Sequence, residues 1–265
     1  MGTANSIREC FSARLVGIRS MVPIEPRQWR KGMVVILGPY RSGTSLVAGL
    51  AKRMGGWAGS SDIRRPNIGN PDGYVEEPRL DAILKGHVSV PEHIVSEEVS
   101  DISGDLVEWR IAMENECPEN SSFIVAKNPL FCLVIPHIVD AWPDARFVSL
   151  TRNRVHSIKS IGDRNWGWTD EEIINAIDTM ISQRDGSLPE GSLNIGYDEI
   201  VDNPRTGVEG LIQFLGISPS ESQKQAAIGA ISMKLRRSDK QVGFLRGILD
   251  LAYARVRAMS RILRS

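Results

Sequence analysis

Cysteine is scarce in this chain: three among 265 residues, Cys10, Cys117 and Cys132, far apart and without a CxxC pair. So sparse and odd a count excludes a disulfide framework and a cysteine zinc site, and it fits a reducing compartment. The four histidines, His87, His93, His137 and His156, include no HExxH spacing, which removes the common signature of a zinc hydrolase. Apolar runs are short as well. The longest, Met33 to Leu37 and Phe131 to Ile135, fall far below the ~18 residues of a membrane span. No secretory signal is expected, because the first apolar run begins only at Met33. An excess of positive charge is also missing: 32 Lys and Arg stand against 32 Asp and Glu. A general nucleic-acid binder needs surplus cations to displace counterions, so that class is excluded. These absences describe a soluble, cytoplasmic protein without a transmembrane segment.

The composition that is present is that of a globular protein, 42% hydrophobic and 24% charged. Its length suffices for one large domain with a real core. The zero net charge hides a segregation. Glu92 to Glu119 carries nine acidic residues against one Arg, and Lys234 to Arg264 carries nine basic residues against two Asp. Residues 1–30 read as an N-terminal extension and 31–265 as a single domain closed by a basic helix over 234–265. In that last segment Phe244, Leu245, Ile248, Leu249, Leu251 and Tyr253 supply an apolar stripe.

Strands and helices alternate along the domain. Met33–Leu37 is a continuous, β-branched apolar run, as in a strand buried on both faces. Phe123–Lys127, Arg146–Thr151 and Leu193–Tyr197 read as three further strands. Helices are expected over Gly43–Met54, Leu130–Ala141 and Asn153–Gly162. Thr169 with Glu172 forms a capping box for another, running to about Arg184. Asn203-Pro204 reads as an N-cap with proline at N1, opening a helix that ends near Gly216; Ser218-Pro219-Ser220-Glu221 repeats the start signal. The pattern predicts an α/β protein, a three-layer α/β/α P-loop fold with a central, mainly parallel sheet. Gly55 to Glu77 is the one long irregular stretch, and loops of that length are usually functional.

The first strand runs into Gly38-Pro39-Tyr40-Arg41-Ser42-Gly43-Thr44-Ser45 with a helix behind it. Strand, GxxxxG and helix are the context of a P-loop, in which backbone N–H groups cradle an anion. Nucleotide triphosphatases require Lys after the second Gly; here that place holds Thr44, and the cation stands at Arg41. Magnesium-dependent P-loop enzymes also end a neighbouring strand in an Asp. Here two strands end in cations instead, Lys127 and Arg152. Ligands of open α/β sheets bind at the carboxyl ends of the strands, so Arg41, Lys127 and Arg152 should converge on one anion.

At this point the chain resembles the sulfotransferases that use 3′-phosphoadenosine 5′-phosphosulfate. Tyr40-Arg41-Ser42-Gly43-Thr44-Ser45 resembles the family's 5′-phosphosulfate loop. Arg152-Asn153-Arg154-Val155-His156-Ser157-Ile158-Lys159-Ser160 resembles its 3′-phosphate segment. Lys127-Asn128-Pro129 resembles the Lys-Asp-Pro element of bacterial and carbohydrate-type members, with Asn in place of Asp. Gly196 to Pro204, followed by Phe214-Leu215-Gly216, resembles the block that closes the family's core. The resemblance implies that the activated nucleotide is the co-substrate and adenosine 3′,5′-bisphosphate the product, with no metal required. It assigns Arg41, Ser42, Gly43, Thr44 and Ser45 to the 5′ end of the nucleotide, and Arg152 and Ser160 to the 3′-phosphate. Tyr197 would pack on adenine, and Arg236 and Arg237 would add C-terminal cations.

On the acceptor side, assigned to residues 57–120, Asn70-Pro71-Asp72-Gly73-Tyr74-Val75-Glu76 is similar to the family's Gly-aromatic-x-Glu element. It makes Glu76 the candidate base, with Glu77 as fallback and His87 or His93 as further candidates; Lys127 would touch the transferring sulfuryl or the acceptor. The implied reaction moves the sulfuryl group to a hydroxyl, ahead of an amine, on a small-molecule, carbohydrate or lipid acceptor. A homo-oligomer stays open. Two other readings stand beside it: a P-loop kinase or nucleotide-binding protein, and a non-catalytic module that binds adenosine bisphosphate.

Overall fold

The runs 33–37, 123–127 and 147–150 are buried along their whole length, as strands of a sheet covered on both sides must be. The structure, a computed structural model, describes residues 29–63, 73–90, 92–95, 102–163 and 166–231. Strands β1 (Gly32–Leu37), β2 (Gly56–Trp57), β3 (Phe123–Lys127), β4 (Arg146–Thr151) and β5 (Leu193–Gly196) form one sheet in the order β2-β3-β1-β4-β5. Every pairing is parallel. The register sets Ile36 beside Lys127 and Leu37 beside Ser149, so β1, β3 and β4 finish together at one edge.

The period of two along β1 divides the core. Met33, Val35 and Leu37 pack with helices α2 (Pro78–His87), α3 (Ile102–Glu116), α4 (Ile135–Ala141) and α6 (Asp170–Ser187). Val34 and Ile36 pack on the opposite face with α1 (Thr44–Arg53), α7 (Tyr197–Asp202), α8 (Pro204–Leu215) and the helical residues 221–231. Each fully buried aliphatic side chain of this kind stabilises the fold by about 1.5–3 kcal/mol. A smaller apolar cluster, Ile161, Ile173 and Ile177, joins α5 (Arg154–Gly162) to α6.

The expected α/β layering is therefore present, with four of the five strands as read from the sequence. The Thr169–Glu172 capping box forms in full: Glu172 N–H donates to Thr169 Oγ1 at 3.2 Å and Thr169 N–H to Glu172 Oε2 at 2.6 Å. Ser220 and Gln223 cap the next helix in the same reciprocal way. Gly216, at φ 59°, closes α8.

Three expectations need correction. The helix expected over Leu130–Ala141 is broken into a 3₁₀ helix, Pro129–Leu133, and α4, with Val134 outside helical geometry between them. Pro136 is the reason, since it has no N–H to close a turn back onto residue 132. Asn203 stands at the N-cap of α8 but makes no side-chain capping bond, and its backbone N–H closes α7 on Glu199 O at 3.0 Å. Tyr197 opens α7 and does not end β5. The acidic stretch also contains more structure than its charge suggested. Ile102, Leu106, Trp109, Arg110 and Met113 give α3 a buried stripe at helical spacing. Among the described residues no helix is long and apolar enough to cross a membrane. The basic segment 234–265, with Arg236 and Arg237, lies outside the described residues.

The described residues from Lys31 onward pack as one compact unit. Trp142 is central to the α3–α4 side: it is fully buried, its indole N–H donates to Leu106 O at 3.0 Å, and its ring meets Trp109 and Phe131. Trp142→Ala removes a large buried ring and its hydrogen bond to Leu106 O. It should cost about 3–5 kcal/mol, read as a fall in the urea midpoint at unchanged slope.

Candidate active site

At its carboxyl end β1 delivers the chain into a loop whose backbone is bent by two left-handed residues, Arg41 (φ 63°) and Gly43 (φ 101°). Ser42 N–H closes the turn on Pro39 O at 3.1 Å. Gly43 caps α1 without a side-chain bond, so the first N–H groups of that helix have no partner inside it and present positive partial charge. A Cβ at Gly43 would stand 2.3 Å from Tyr197 Cδ2. Only glycine allows the tyrosine ring to lie against the loop.

Cations surround this cradle. Arg152, just past β4, donates from Nη1 to Arg41 O at 3.0 Å, and its guanidinium carbon lies 4.6 Å from the centre of the Tyr197 ring. Its Nε is buried with no hydrogen-bond partner among the described residues, an orphan donor of the kind that a bound anion satisfies. Burial raises the Tyr197 hydroxyl pKa, opposed by the positive charge of Arg152. Arg41 donates from Nε to Ser160 Oγ at 3.0 Å. Lys127, at the end of β3, is 3% exposed; its ammonium donates to Ser45 Oγ at 3.3 Å and forms a close ion pair with Glu76 Oε1.

Glu76 reaches this point through a strained strap. Val75 adopts φ 56°, a left-handed conformation that costs a β-branched residue about 1–3 kcal/mol. The Asp62 carboxylate holds it there, accepting from Val75 N–H at 2.6 Å and from Glu76 N–H at 3.3 Å. Glu76 is itself 7% exposed.

These groups line one cavity of about 320 Å³. Arg41, Gly43, Thr44, Ser45, Lys127, Arg152 and Tyr197 form one end. Glu76, Tyr74, Asp81, Lys85, Asn128 and an aromatic group form the other. In that group Tyr40, Trp166 and Trp168 stand edge to face, with ring centres 5.4–5.7 Å apart. The Tyr40 hydroxyl titrates well above its ordinary range, through burial first and then the nearby Glu76 and Asp81 carboxylates.

Of the candidates named from sequence, the structure brings together Arg41, Gly43, Thr44, Ser45, Glu76, Lys127, Arg152 and Tyr197. Ser42 is fully buried beneath the loop, and Ser160 is engaged by Arg41 and does not line the cavity. Glu77 faces away: it caps α2 at Leu80 N–H and accepts from Trp109 Nε1 and Arg79. Burial opposes ionisation of its carboxyl, but these donors outweigh it and hold the pKa low. His87 pairs with Asp105 at 2.7 Å, away from the cavity lining. His93 lies behind Tyr40, with its Nε2 3.3 Å from the tyrosine hydroxyl. Of the remaining lining residues, Asp81, Lys85, Trp166 and Trp168 were not singled out by sequence reasoning. The one available signal was the Trp166-Gly167-Trp168 doublet in a polar stretch.

A parallel sheet whose first strand feeds a glycine-bounded anion loop, flanked by cations at the next strand ends, defines a P-loop α/β protein built for a multiply charged anion. Residues 34–221 match the model of the Sulfotransferase family, and the chain belongs to that family. It is a sulfotransferase, an enzyme that draws its sulfuryl group from 3′-phosphoadenosine 5′-phosphosulfate. Solved structures of similar course include a sulfotransferase from Mycobacterium tuberculosis H37Rv (15% identity, TM-score 0.47, covering 79% of this chain and 76% of that one). Another is a sulfotransferase from Alicyclobacillus acidocaldarius (13%, 0.45, 80% and 96%). A third is a retinol dehydratase in complex with androsterone and the inactive cofactor PAP (13%, 0.41, 75% and 64%). Among curated proteins none matches the chain.

Gly43→Ala should force Tyr197 off the loop. Calorimetric affinity for adenosine 3′,5′-bisphosphate should fall about tenfold or more, the scale of a lost charge-assisted contact, and the left-handed backbone at 43 should lower thermal stability as well.

Proposed function

We propose that the enzyme transfers the sulfuryl group to a hydroxyl, in preference to an amine, of a small-molecule, carbohydrate or lipid acceptor in the cytoplasm, without a metal ion. The observation that carries this reading is the buried contact from Glu76 through Lys127 to Ser45, which joins a carboxylate on the acceptor side to the anion loop. The bound nucleotide supplies an activated sulfuryl group with adenosine 3′,5′-bisphosphate as leaving group. Arg152, with its orphan Nε, suits the 3′-phosphate, and Arg41, Thr44 and Ser45 suit the 5′ end. Tyr197, stacked against Arg152, offers the ring for adenine.

Glu76 takes the proton of the acceptor hydroxyl as its oxygen bonds to sulfur and the bond from sulfur to the 5′-phosphate oxygen breaks. A base must stand within hydrogen-bond reach of the proton it removes, and the lining of the cavity offers only Glu76 and Asp81 as carboxylates among the described residues. Lys127 lies between that base and the loop, where an ammonium stabilises charge spreading over the sulfuryl oxygens. A sulfuryl group carries less negative charge than a terminal phosphoryl, so side-chain cations and loop amides supply the neutralisation that a divalent ion supplies in phosphoryl transfer. Thr44, in the place of the triphosphatase lysine, weighs against a kinase. A carboxylate built into the buried lining has no use in a module that only binds nucleotide.

Calorimetry with adenosine 3′,5′-bisphosphate and with ATP plus magnesium tests the donor. Arg41→Ala and Arg152→Ala should each weaken bisphosphate binding by about 1–3 kcal/mol. Tighter binding of ATP than of the bisphosphate would sink the reading. Glu76→Gln retains a carbonyl for Lys127 and should leave bisphosphate affinity unchanged, while radiolabelled sulfate transfer onto a metabolite extract falls about 10²-fold or more.

A further inference from the structure

One carboxylate in the cavity has no part in the chemistry described so far. Asp81, on α2, lines the cavity with Glu76. Its Oδ2 accepts from Lys85 Nζ at 2.6 Å and its Oδ1 from Asn128 Nδ2 at 3.2 Å. A carboxylate offers about four lone-pair sites, so two partners leave capacity for two more donors. The side chain of Asp81 is 14% exposed, against 57% for Lys85, so Lys85 meets it from the solvent side.

Asn128 explains why that capacity is kept. Its Oδ1 accepts from Leu130 N–H at 2.9 Å, capping the 3₁₀ helix, and its amide group is turned to Asp81. An Asp at 128 could still cap Leu130, but its second oxygen would then face the Asp81 carboxylate at hydrogen-bond distance, and like charges so placed repel. The amide at 128 and the carboxylate at 81 are thus complementary. Relative to the Lys-Asp-Pro element, the negative charge has been moved across one hydrogen bond, from the end of β3 onto α2.

The surroundings indicate what the charge receives. Asp81, Lys85, Asn128 and Tyr74 give this part of the cavity hydrogen-bonding groups, while Tyr40, Trp166 and Trp168 give it ring surface. A purely apolar acceptor would strip water from these polar groups and return nothing. The three rings stand nearly perpendicular to one another, at 69–87°, which forms a corner and not a parallel slot. Glu76 pairs with Lys127 and Asp81 accepts from Asn128, the next residue in the chain, so the two carboxylates are anchored on neighbouring residues of one cavity lining.

The geometry points to Asp81 as an acceptor-binding residue that receives a second hydroxyl next to the one Glu76 deprotonates, so that the acceptor is a ring carrying neighbouring hydroxyl groups. This deepens the sulfotransferase reading and rests on it.

The test uses the full-length protein, radiolabelled sulfate donor and two matched pairs of probes: catechol against 2-methoxyphenol, and cis-1,2-cyclohexanediol against 2-methoxycyclohexanol. The methylated member of each pair keeps the ring and one hydroxyl but cannot donate from the second oxygen. The wild type should sulfate the diol at least tenfold faster, as kcat/KM, in at least one pair. Asp81→Asn, which can still accept from Asn128, should abolish the preference. Combining D81N with N128D, which returns the carboxylate to position 128, should restore at least threefold of it. Equal rates within both pairs, a preference that survives D81N, or no transfer to any of the four probes would each overturn the proposal. Bisphosphate affinity, measured on the same samples, should be unchanged in both variants. Its absence in the wild type would overturn the donor-site reading instead, so the two failures are distinguishable.

Discussion

The ion pair between Lys127 and Glu76 is the contact on which the two halves of the site depend. Each residue alone would be a charge withdrawn from water. Removing one partner of such a buried pair typically costs about 3–5 kcal/mol, so neither can leave without the other being exposed or neutralised. The pair is held from opposite directions. Lys127 is fixed as the last residue of β3, in register with Ile36 of β1, and Glu76 is fixed by a strap that Asp62 clamps from outside. Because Lys127 also reaches Ser45, the position of the acceptor-side carboxylate is tied to the first turn of α1, and thus to the anion loop. The Glu76 carboxylate and the anion cradle are parts of one hydrogen-bonded unit.

The same economy governs the loop. A P-loop that carried its lysine after the second glycine would bring the cation in along the helix. Here the ammonium comes from the neighbouring strand, which leaves Thr44 to open α1 and lets Tyr197 settle on Gly43. Arg152 then fills two roles: it stacks on Tyr197 and braces the backbone at Arg41 through the carbonyl oxygen. The left-handed conformation of Arg41 is stabilised by that bond and by the turn from Ser42 to Pro39. Loop, strand-end cation and tyrosine hold one another in place, which is the preorganisation that electrostatic stabilisation requires.

The sheet and the donor end were legible in the sequence because each left a local mark. Buried parallel strands are continuous apolar runs, the loop has its glycines, and the strand-end cations follow directly from the strands. The capping box at Thr169 is likewise written in four residues. The acceptor end left no such mark. Glu76 and Glu77 are neighbours with the same chemistry, and only the left-handed turn at Val75 decides that one enters the cavity and the other caps α2. Helix α3 was hidden because its apolar stripe runs through an acidic stretch, and its Trp109 and Arg110 are recognisable as core residues only when Trp142 and Asp144 are placed beside them. Asn128 read as a departure from a motif. In three dimensions it is half of a pair whose other member, Asp81, lies 47 residues away.

Placement of charge within the cavity accounts for what the neutral total could not. Both carboxylates of its lining are engaged by ammonium groups, Glu76 by Lys127 and Asp81 by Lys85. The acceptor end is therefore close to neutral as a whole, though dense in hydrogen-bonding groups. The remaining cations of the lining, Arg41 and Arg152, both stand at the donor end. Guanidinium groups keep their charge at any physiological pH and grip oxyanions through paired N–H bonds, whereas the lysines neutralise carboxylates. Within one cavity the arginines are thus left to meet an oxyanion while the lysines answer the carboxylates. Lys127, at the boundary, is the residue that belongs to both ends.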